Sequence, residues 1–235
     1  MLYDETAARD NVRNRDGKRV FYLGKQDRLT PSARDWLNRE HIEILPAEAA
    51  KPQRYRILGG GYTEEKPEHM THLSGDILVP KTHPRIAFRG AVDTLEAELL
   101  LTMEAVPEDI RKDLRQILEL SRLLIRCEVL EQPLEQTTLC GLTQQEQRKR
   151  SHFPQEYYGV PHFMPEFSDG SAILRLNRCR TAARNAELTA VRAFVDGEGN
   201  VTRQDLLTAL NRMSSMLYLL MIRLKGENTQ KRVDK

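Results

Sequence analysis

Apolar residues at helical spacing dominate the second half of the chain and limit what it can fold into. From Pro84 onward, apolar side chains recur every three or four residues in four segments, at about residues 85–104, 107–130, 171–195 and 202–224. This period places the apolar residues of each segment on one face of an α-helix, which must be buried against another element. The pattern predicts a mostly α fold, an up-and-down helical bundle of four to five helices over residues 84–224, before a charged tail at 225–235.

The connection between the second and third of these segments is long and polar. A connection of this length inside a helical bundle is more often functional or disordered than idle. Within it, Thr143 can open a short helix in which Glu146 completes a capping box.

The N-terminal part of the chain carries weaker patterns. Residues 18–45 predict a small α/β unit, in which two short strands flank a helix that Thr30 caps and Pro31 begins. Residues 46–83 are rich in Gly, Pro and polar residues, which is typical of an irregular linker. Docking of the N-terminal α/β unit onto other proteins of a metabolic compartment is one interpretation, whereas the charged residues 1–17 can instead be disordered.

Charge balance and cysteine content narrow the functional classes. Lys plus Arg number 36 against 34 Asp plus Glu, and this net charge of +2 argues against wholesale nucleic-acid binding. Three widely spaced cysteines form no CxxC pair, so we expect reduced thiols rather than a disulfide framework or a zinc knuckle. The charged N-terminus lacks the apolar core of a signal peptide, and no apolar run reaches membrane-spanning length. We therefore expect a cytoplasmic protein that binds neither nucleic acid nor membrane.

Arginines lie beside the apolar face of the segment at 171–195. Arg180 and Arg184 fall about 80° from the centre of that face, and Glu187 can pair with Arg184 at i, i+3. A surface row of ion pairs is one explanation. An anion site is the alternative, because two guanidinium groups one helical turn apart suit a polyphosphate.

Two more polar residues lie close to apolar helix faces. Asp93 falls at the border of the apolar stripe of its helix, where a carboxylate needs a partner. Asn211 lies in a segment that is apolar nearly all round, on the side of Ser215 and Tyr218. A buried Asn needs donors and acceptors, either from a neighbouring helix or from a ligand such as a purine.

Three segments together resemble the ATP:corrinoid (cobalamin) adenosyltransferases of the propanediol- and ethanolamine-utilisation type. They are KTHPRIAFRGAVDTL at 81–95, GSAILRLNRCRTAARNAE at 170–187 and LNRMSSMLYLLM at 210–221. The ethanolamine-utilisation branch is the most similar, through DRLTPSARDWL at 27–37 and PEFSDG at 165–170.

The resemblance implies a homotrimer with active sites between subunits, where ATP binds with Mg²⁺ on its phosphates and cobalamin, a corrinoid, enters above it. Arg180 and Arg184 would be ATP-site arginines, and Asp93 would pair with an arginine across the subunit interface. Asn211, together with Glu187, would contact the nucleotide. Lys81 would lie near the triphosphate.

The implied reaction transfers the 5′-deoxyadenosyl group of ATP to the cobalt of reduced cobalamin and releases triphosphate. The family displaces the lower axial ligand of the corrinoid with an apolar side chain, for which Phe163 and Phe167 are the candidates here. The resemblance further implies a reductase for cob(II)alamin, service to the adenosylcobalamin-dependent ethanolamine ammonia-lyase, and association with a bacterial microcompartment.

Two departures from the family pattern keep alternatives open. The Gly-Asp-rich phosphate loop is absent apart from SGD at 74–76, and the cysteine cluster that binds a divalent metal in some relatives is missing. His69, His72 and His83 lie in the corresponding region and are either ligands of an additional divalent metal or solvated loop residues. The alternatives to the enzyme are a catalytically weak corrinoid- or ATP-binding protein and an interaction module of a metabolic compartment.

Overall fold

The computed structural model describes residues 1–15, 17–49, 55–135 and 138–233 and divides the chain into two compact units. Residues Met1–His83 form the α/β unit, and residues Pro84–Lys235 form the helical unit. In the described residues, no helix is long and apolar enough to cross a membrane.

The α/β unit is built on a mixed sheet of seven strands. Its elements are β1 (Leu2–Tyr3), α1 (Glu5–Asp10), β2 (Val12–Arg15), β3 (Lys18–Leu23), β4 (Arg28–Leu29), α2 (Pro31–Arg39), β5 (Glu43–Pro46), β6 (Tyr55–Ile57), β7 (Tyr62–Thr63), β8 (Met70–Ser74) and β9 (Ile77–Pro80). The strand order is β5-β3-β2-β7-β6-β9-β8, and β1 pairs separately with β4. Pairs β3–β5, β2–β7 and β6–β9 are parallel, whereas β2–β3, β6–β7 and β8–β9 are antiparallel.

This sheet corrects the predicted fold class. A mostly α bundle with a small N-terminal extension is wrong, because the sheet makes the first 83 residues a full α/β unit. Disorder of residues 1–17 is also wrong, since β1, α1 and β2 lie there, residue 16 falling outside the described residues. The predicted irregular segment at 46–83 contains β6 to β9, and residues 50–54 of it lie outside the described residues.

The predicted helix inside the α/β unit is confirmed. Thr30 caps α2 by accepting a hydrogen bond from the Ala33 amide at 3.2 Å, and Pro31 occupies the first turn. Its apolar residues Trp36 and Leu37 are buried with Phe21 of the sheet. Burial of one face of α2 against β3 is what holds this helix in place.

The helical unit contains the four predicted long helices and several short elements. Its elements are α3 (Pro84–Met103), α4 (Glu108–Val129), β10 (Thr138–Leu139), β11 (Leu142–Thr143), α5 (Gln144–His152), α6 (Pro154–Tyr158), α7 (Ser171–Phe194) and α8 (Gln204–Val233). The capping box of Thr143 and Glu146 at the start of α5 is confirmed. The charged tail predicted at 225–235 is wrong as a separate segment, because α8 continues to Val233 and residues 234–235 lie outside the described residues.

Helix α7 packs between α3 and α8. Four side chains in the middle of its buried face are small and fully buried: Cys179, Ala183, Ala186 and Ala190. Small residues at this spacing let both neighbouring helices approach closely. Thr102 of α3 and Cys179 are 3.1 Å apart, Oγ1 to Sγ.

Ion pairs attach α4 to the other long helices. The side chain of Glu128 of α4 is 0% exposed and forms ion pairs with Arg85 and Arg89 of α3. The distance from Arg89 Nε to Glu128 Oε2 is 2.7 Å. A carboxylate buried this completely needs such partners to offset the hydration that it loses.

We predict that Glu128→Gln lowers the free energy of unfolding by about 3 kcal/mol, because it leaves two half-buried guanidinium groups without their shared counter-charge. The matched control is Glu131→Gln, since Glu131 is 69% exposed and also contacts Arg85, at 3.3 Å. Its exposed ion pair is worth about 0.5 kcal/mol. Urea unfolding of the three proteins, followed by circular dichroism, measures both changes, and equal stability of the two variants would contradict the prediction.

Candidate functional site

Helices α7 and α8 run antiparallel and meet along a seam that carries two pockets. Arg180 of α7 lies with Tyr218 of α8 in one pocket, while Glu187 bonds to Asn211 in the other. Seven residues separate the two positions on each helix, which is about 10.5 Å along the axis. Arg184 lies between the two positions on α7. The two pockets therefore open on one side of a single seam.

The first pocket, called here the Asn211 pocket, has a volume of about 570 Å³. It is lined by Gln144, Gln145, Arg148, Glu187, Gln204, Leu207, Thr208, Asn211 and Arg212. Amide, carboxylate and guanidinium groups dominate this lining. Such a lining suits a polar ligand with both hydrogen-bonding edges and negative charge.

Asn211 is half-buried and is held by neighbours on both helices. Its Nδ2 donates to Glu187 Oε1 at 2.9 Å, and its Oδ1 accepts from the Arg212 guanidinium. Its backbone carbonyl accepts from the hydroxyls of Ser214 and Ser215, at 2.9 and 3.0 Å. The predicted pair between Glu187 and Arg184 is wrong for the described residues, because Glu187 instead accepts the Asn211 amide.

The second pocket, called here the Tyr218 pocket, has a volume of about 340 Å³. It is lined by His162, Phe163, Met164, Pro165, Arg180 and Tyr218. Its walls are mainly aromatic and apolar, and Arg180 supplies its one guanidinium. The pocket thus combines a flat apolar surface with a single positive charge.

The hydroxyl of Tyr218 organises this pocket. It accepts the Phe163 amide at 3.2 Å and lies 3.1 Å from His162 Nδ1. His162 Nε2 lies 3.1 Å from the carbonyl oxygen of His152, so Nε2 carries the proton and Nδ1 accepts from the hydroxyl when the imidazole is neutral. The Tyr218 ring stacks on Phe163, with centroids 6.2 Å apart, and on His162, at 5.8 Å.

The structure distinguishes the two candidate phenylalanines. Phe163 packs against the core of the helical unit, and Lys225 Nζ lies 5.1 Å from the centre of its ring. Phe167 is 94% exposed. Only Phe163 is therefore held in a pocket that also contains one of the predicted arginines.

Four arginines near the seam carry charge that no carboxylate of the described residues neutralises through an ion pair. They are Arg148, Arg180, Arg184 and Arg212. Burial, and then the charge of Arg184, lowers the pKa of Arg180, while burial and then the charge of Arg148 lowers that of Arg212. Arginine nevertheless stays protonated in proteins, so the seam concentrates positive charge that an anion would stabilise.

Asp93 lies apart from these pockets. Its carboxylate is exposed on α3 and forms no hydrogen bond or ion pair with any described residue. The sequence predicted that Asp93 would lie at the border of the apolar stripe, and it did not predict that the side chain would be exposed. Its partnership with an arginine of another subunit remains a prediction.

The predicted residues of the α/β unit do not form a metal site. The described part of the chain contains no group of three or more His, Cys, Asp or Glu side chains that could hold a metal ion, so His69, His72 and His83 are not brought together as ligands. The ring of His72 instead lies edge-on to Tyr55, with centroids 5.5 Å apart. Lys81 is exposed, and its amide donates to the His69 carbonyl at 2.9 Å.

Sequence patterns did not single out several residues of the pockets. Arg148 lies in α5, within the basic stretch QRKR at 147–150, and Arg212 is the direct neighbour of Asn211. His162 and Tyr218 form a hydrogen-bonded pair across 56 residues of sequence. The position of Tyr218 on the Asn211 side of its helix was the one available signal, because helical spacing gives a direction but not a partner.

Comparison with known proteins identifies relatives along most of the chain. Residues 61–224 match the family described as cobalamin adenosyltransferase. The corrinoid adenosyltransferase EutT of Salmonella typhimurium is 31% identical over 248 residues, covering 93% of this chain and 90% of that protein. EutT of Escherichia coli K12 is 31% identical over 232 residues, covering 86% of this chain and 84% of that protein.

Solved structures similar to this chain include a variant PduO-type ATP:corrinoid adenosyltransferase from Lactobacillus reuteri complexed with cobalamin and ATP. It is 21% identical, with a TM-score of 0.45, and the match covers 66% of this chain and 86% of that chain.

We predict that Tyr218→Phe releases the segment around Phe163 while the helices remain folded, because the variant keeps the ring and loses only the hydroxyl. Loss of its hydrogen bonds costs about 1 kcal/mol. Hydrogen–deuterium exchange should show faster exchange of the Phe163 amide. Tyr157→Phe, which removes a hydroxyl from exposed Tyr157 on α6, is the matched control. Unchanged exchange in Tyr218→Phe would contradict the role assigned to this hydroxyl.

Proposed function

The chain belongs to the cobalamin adenosyltransferase family, and we propose how its two pockets carry out the transfer of the 5′-deoxyadenosyl group of ATP to the cobalt of reduced cobalamin, with release of triphosphate. The observation that carries the proposal is the meeting of Arg180, Glu187, Asn211 and Phe163 along one seam within the region of the family match. The EutT relatives, named corrinoid adenosyltransferases, support the same activity over nearly the whole chain.

The nucleoside of ATP occupies the Asn211 pocket. The amide of Asn211 is fixed by Glu187 and Arg212, so it presents a set orientation to a base or ribose. Gln144 and Gln204 add further donors and acceptors to the lining. Groups held in place before the ligand arrives reduce the entropy lost on binding.

The triphosphate lies against the arginines that lack ion pairs. Arg148 and Arg212 line the Asn211 pocket, and Arg184 lies between it and the Tyr218 pocket. Guanidinium groups bind phosphate oxygens with paired hydrogen bonds. Mg²⁺ accompanies the phosphates as part of the MgATP substrate, and Lys81 remains a predicted contact of the same group.

The corrinoid occupies the Tyr218 pocket, with the ring of Phe163 beneath its cobalt. Phe163 suits this position because Tyr218 holds its backbone and its ring at once. An apolar ring there keeps the lower nitrogen ligand and water away from the metal. Phe167, exposed and without such contacts, is the less suitable candidate.

The reaction then needs alignment more than acid–base chemistry. The cobalt of cob(I)alamin attacks the 5′-carbon of ATP, a cobalt–carbon bond forms, and the carbon–oxygen bond breaks with its electron pair passing to triphosphate. The two pockets bring the reactants together on one seam, which removes the entropic cost of a bimolecular encounter. The arginines stabilise the negative charge that develops on the leaving group.

A homotrimer with sites between subunits is part of the proposal. Helix α3 exposes Leu100 and Leu101, and α7 exposes Leu188 and Val191 in the row that continues from Arg184. Exposed apolar residues grouped in this way are typical of a protein interface. Asp93 lies in the same row of α3 as Leu100, so a subunit packed there would bring an arginine to this carboxylate.

The metabolic setting that we propose is ethanolamine utilisation in the cytoplasm, in association with a microcompartment. It rests on the similarity to EutT along most of the chain. A reductase for cob(II)alamin and an adenosylcobalamin-dependent ethanolamine ammonia-lyase are the partners that this setting predicts.

We predict that Arg184→Ala lowers kcat/KM for ATP by about 100-fold, because it removes a cation from the developing triphosphate. Arg192→Ala is the matched control, since Arg192 is also an exposed arginine of α7. An anaerobic assay would follow loss of the cob(I)alamin absorbance and measure adenosylcobalamin and triphosphate. Equal activity of both variants would refute the role of Arg184, and ATP binding by the unaltered protein without triphosphate release would favour a binding protein over the enzyme.

We predict that Leu188→Glu shifts the trimer toward monomer, because a charge would be buried in the proposed interface. Leu188 is 61% exposed in the single chain. Leu123→Glu on α4 is the matched control, since Leu123 is 38% exposed and lies outside the proposed interface. Sedimentation equilibrium measures the mass, and a trimeric Leu188→Glu protein would contradict the interface.

A further inference from the structure

A third pocket lies directly behind Phe163. It has a volume of about 830 Å³ and lies between the segment that follows α6 and the C-terminal part of α8. Its lining is Tyr158, Gly159, Val160, Pro161, Phe163, Arg223, Lys225, Gly226, Glu227 and Thr229. This volume is in the range of small-molecule sites. Phe163 also lines the Tyr218 pocket, so its ring forms a wall shared by the two spaces.

We propose that this space, called here the Gly226 pocket, receives the lower base of a complete corrinoid after the base has left the cobalt. This inference rests on the proposed function, because it requires Phe163 to lie beneath the corrin ring. A base attached to the corrin by a short nucleotide arm must move aside when an aromatic ring takes its position. The space on the far side of that ring is the one into which the arm can fold.

The lining suits an uncharged aromatic heterocycle. Val160 and Pro161 offer an apolar surface, and Tyr158 offers a ring of its own. Within the described residues the Tyr158 hydroxyl makes no hydrogen bond, so it is available to the ring nitrogen that cobalt has released. The Co–N bond breaks with its electron pair remaining on that nitrogen, and no electron leaves or enters the metal in this step.

The cations of the pocket argue against an anion as its main occupant. Arg223 is paired with Asp113 at 2.6 Å and with Asp109 at 2.9 Å. Lys225 is paired with Asp169, whose side chain is 4% exposed, and also lies over the Phe163 ring. Both positive charges are neutralised inside the chain, in contrast to the arginines of the Asn211 pocket.

Gly226 keeps the pocket open at its helical wall. A Cβ atom at this position would lie 3.2 Å from Cγ2 of Val160, which is tighter than an ordinary contact. Glycine inside a helix costs up to about 1 kcal/mol relative to alanine. Its presence in α8 is explained by the space that it leaves next to Val160.

The test compares two corrinoids that differ only in the lower arm: cobalamin and cobinamide, which lacks the nucleotide and its base. Thr229→Phe should obstruct the pocket, because Thr229 is an exposed residue of its lining. We expect KM for reduced cobalamin to rise about tenfold and KM for reduced cobinamide to stay unchanged. Asn228→Phe, the adjacent position outside the lining, is the matched control. Val160→Ala, a smaller change in the same wall, should raise KM for cobalamin alone by about threefold.

The outcomes separate the inference from the proposed function. An equal loss with both corrinoids, or no change with cobalamin in either variant, would overturn the lower-base site while leaving the enzyme established. Absence of adenosylation by the unaltered protein with both corrinoids would refute the proposed function. A measurement that needs no turnover is saturation-transfer NMR with 5,6-dimethylbenzimidazole riboside. We expect a signal with the unaltered protein that Thr229→Phe weakens; an equal signal from both proteins would also overturn the site.

Discussion

The close antiparallel contact between α7 and α8 is the constraint on which the candidate site depends. The middle of the inward face of α7, from Cys179 to Ala190, consists of cysteine and alanine side chains that are all fully buried, so α8 can lie near its backbone there. This approach sets Arg180 opposite Tyr218 and Glu187 opposite Asn211. Larger side chains on that face would force the helices apart and separate both pairs at once.

The partners of the arginine side chains separate arginines that stabilise the fold from arginines that are candidates for ligand binding. Arg85 and Arg89 meet a buried glutamate, and Arg223 meets two aspartates, so these guanidinium groups attach helices to α4. Arg180 and Arg212 instead donate hydrogen bonds to neutral amide oxygens, those of Asn177 and Asn211 respectively. Within the described residues no carboxylate forms an ion pair with either guanidinium group, so their positive charge favours a bound polyanion. Triphosphate is a leaving group of the matching charge.

The long helices and the two strands beside α2 could be predicted from the sequence, whereas the seven-stranded sheet as a whole could not, because its strands pair over long distances along the chain. A helix can be recognised from one sequence segment, because its hydrogen bonds and the spacing of its apolar residues are local. The strands of the α/β unit are two to six residues long, and β2 pairs with β7 far along the chain. Strands β6 to β9 are too short to show an alternation that a local pattern could detect, and Gly and Pro between them suggest a linker.

Some residues of the candidate site could be predicted from the sequence, but their partners could not. A helical wheel placed Arg180, Glu187 and Asn211 beside apolar faces, and the seam brings them to the two pockets. The helical wheel predicted that Glu187 pairs with Arg184, because a wheel compares only residues of the same helix. In the structure, Glu187 instead accepts a hydrogen bond from Asn211 of the next helix. In the same way, the structure of a single chain cannot provide the partner of Asp93 if that partner belongs to another subunit. Its carboxylate has no partner among the described residues of its own chain, so a partner must come from outside that chain if the site needs it.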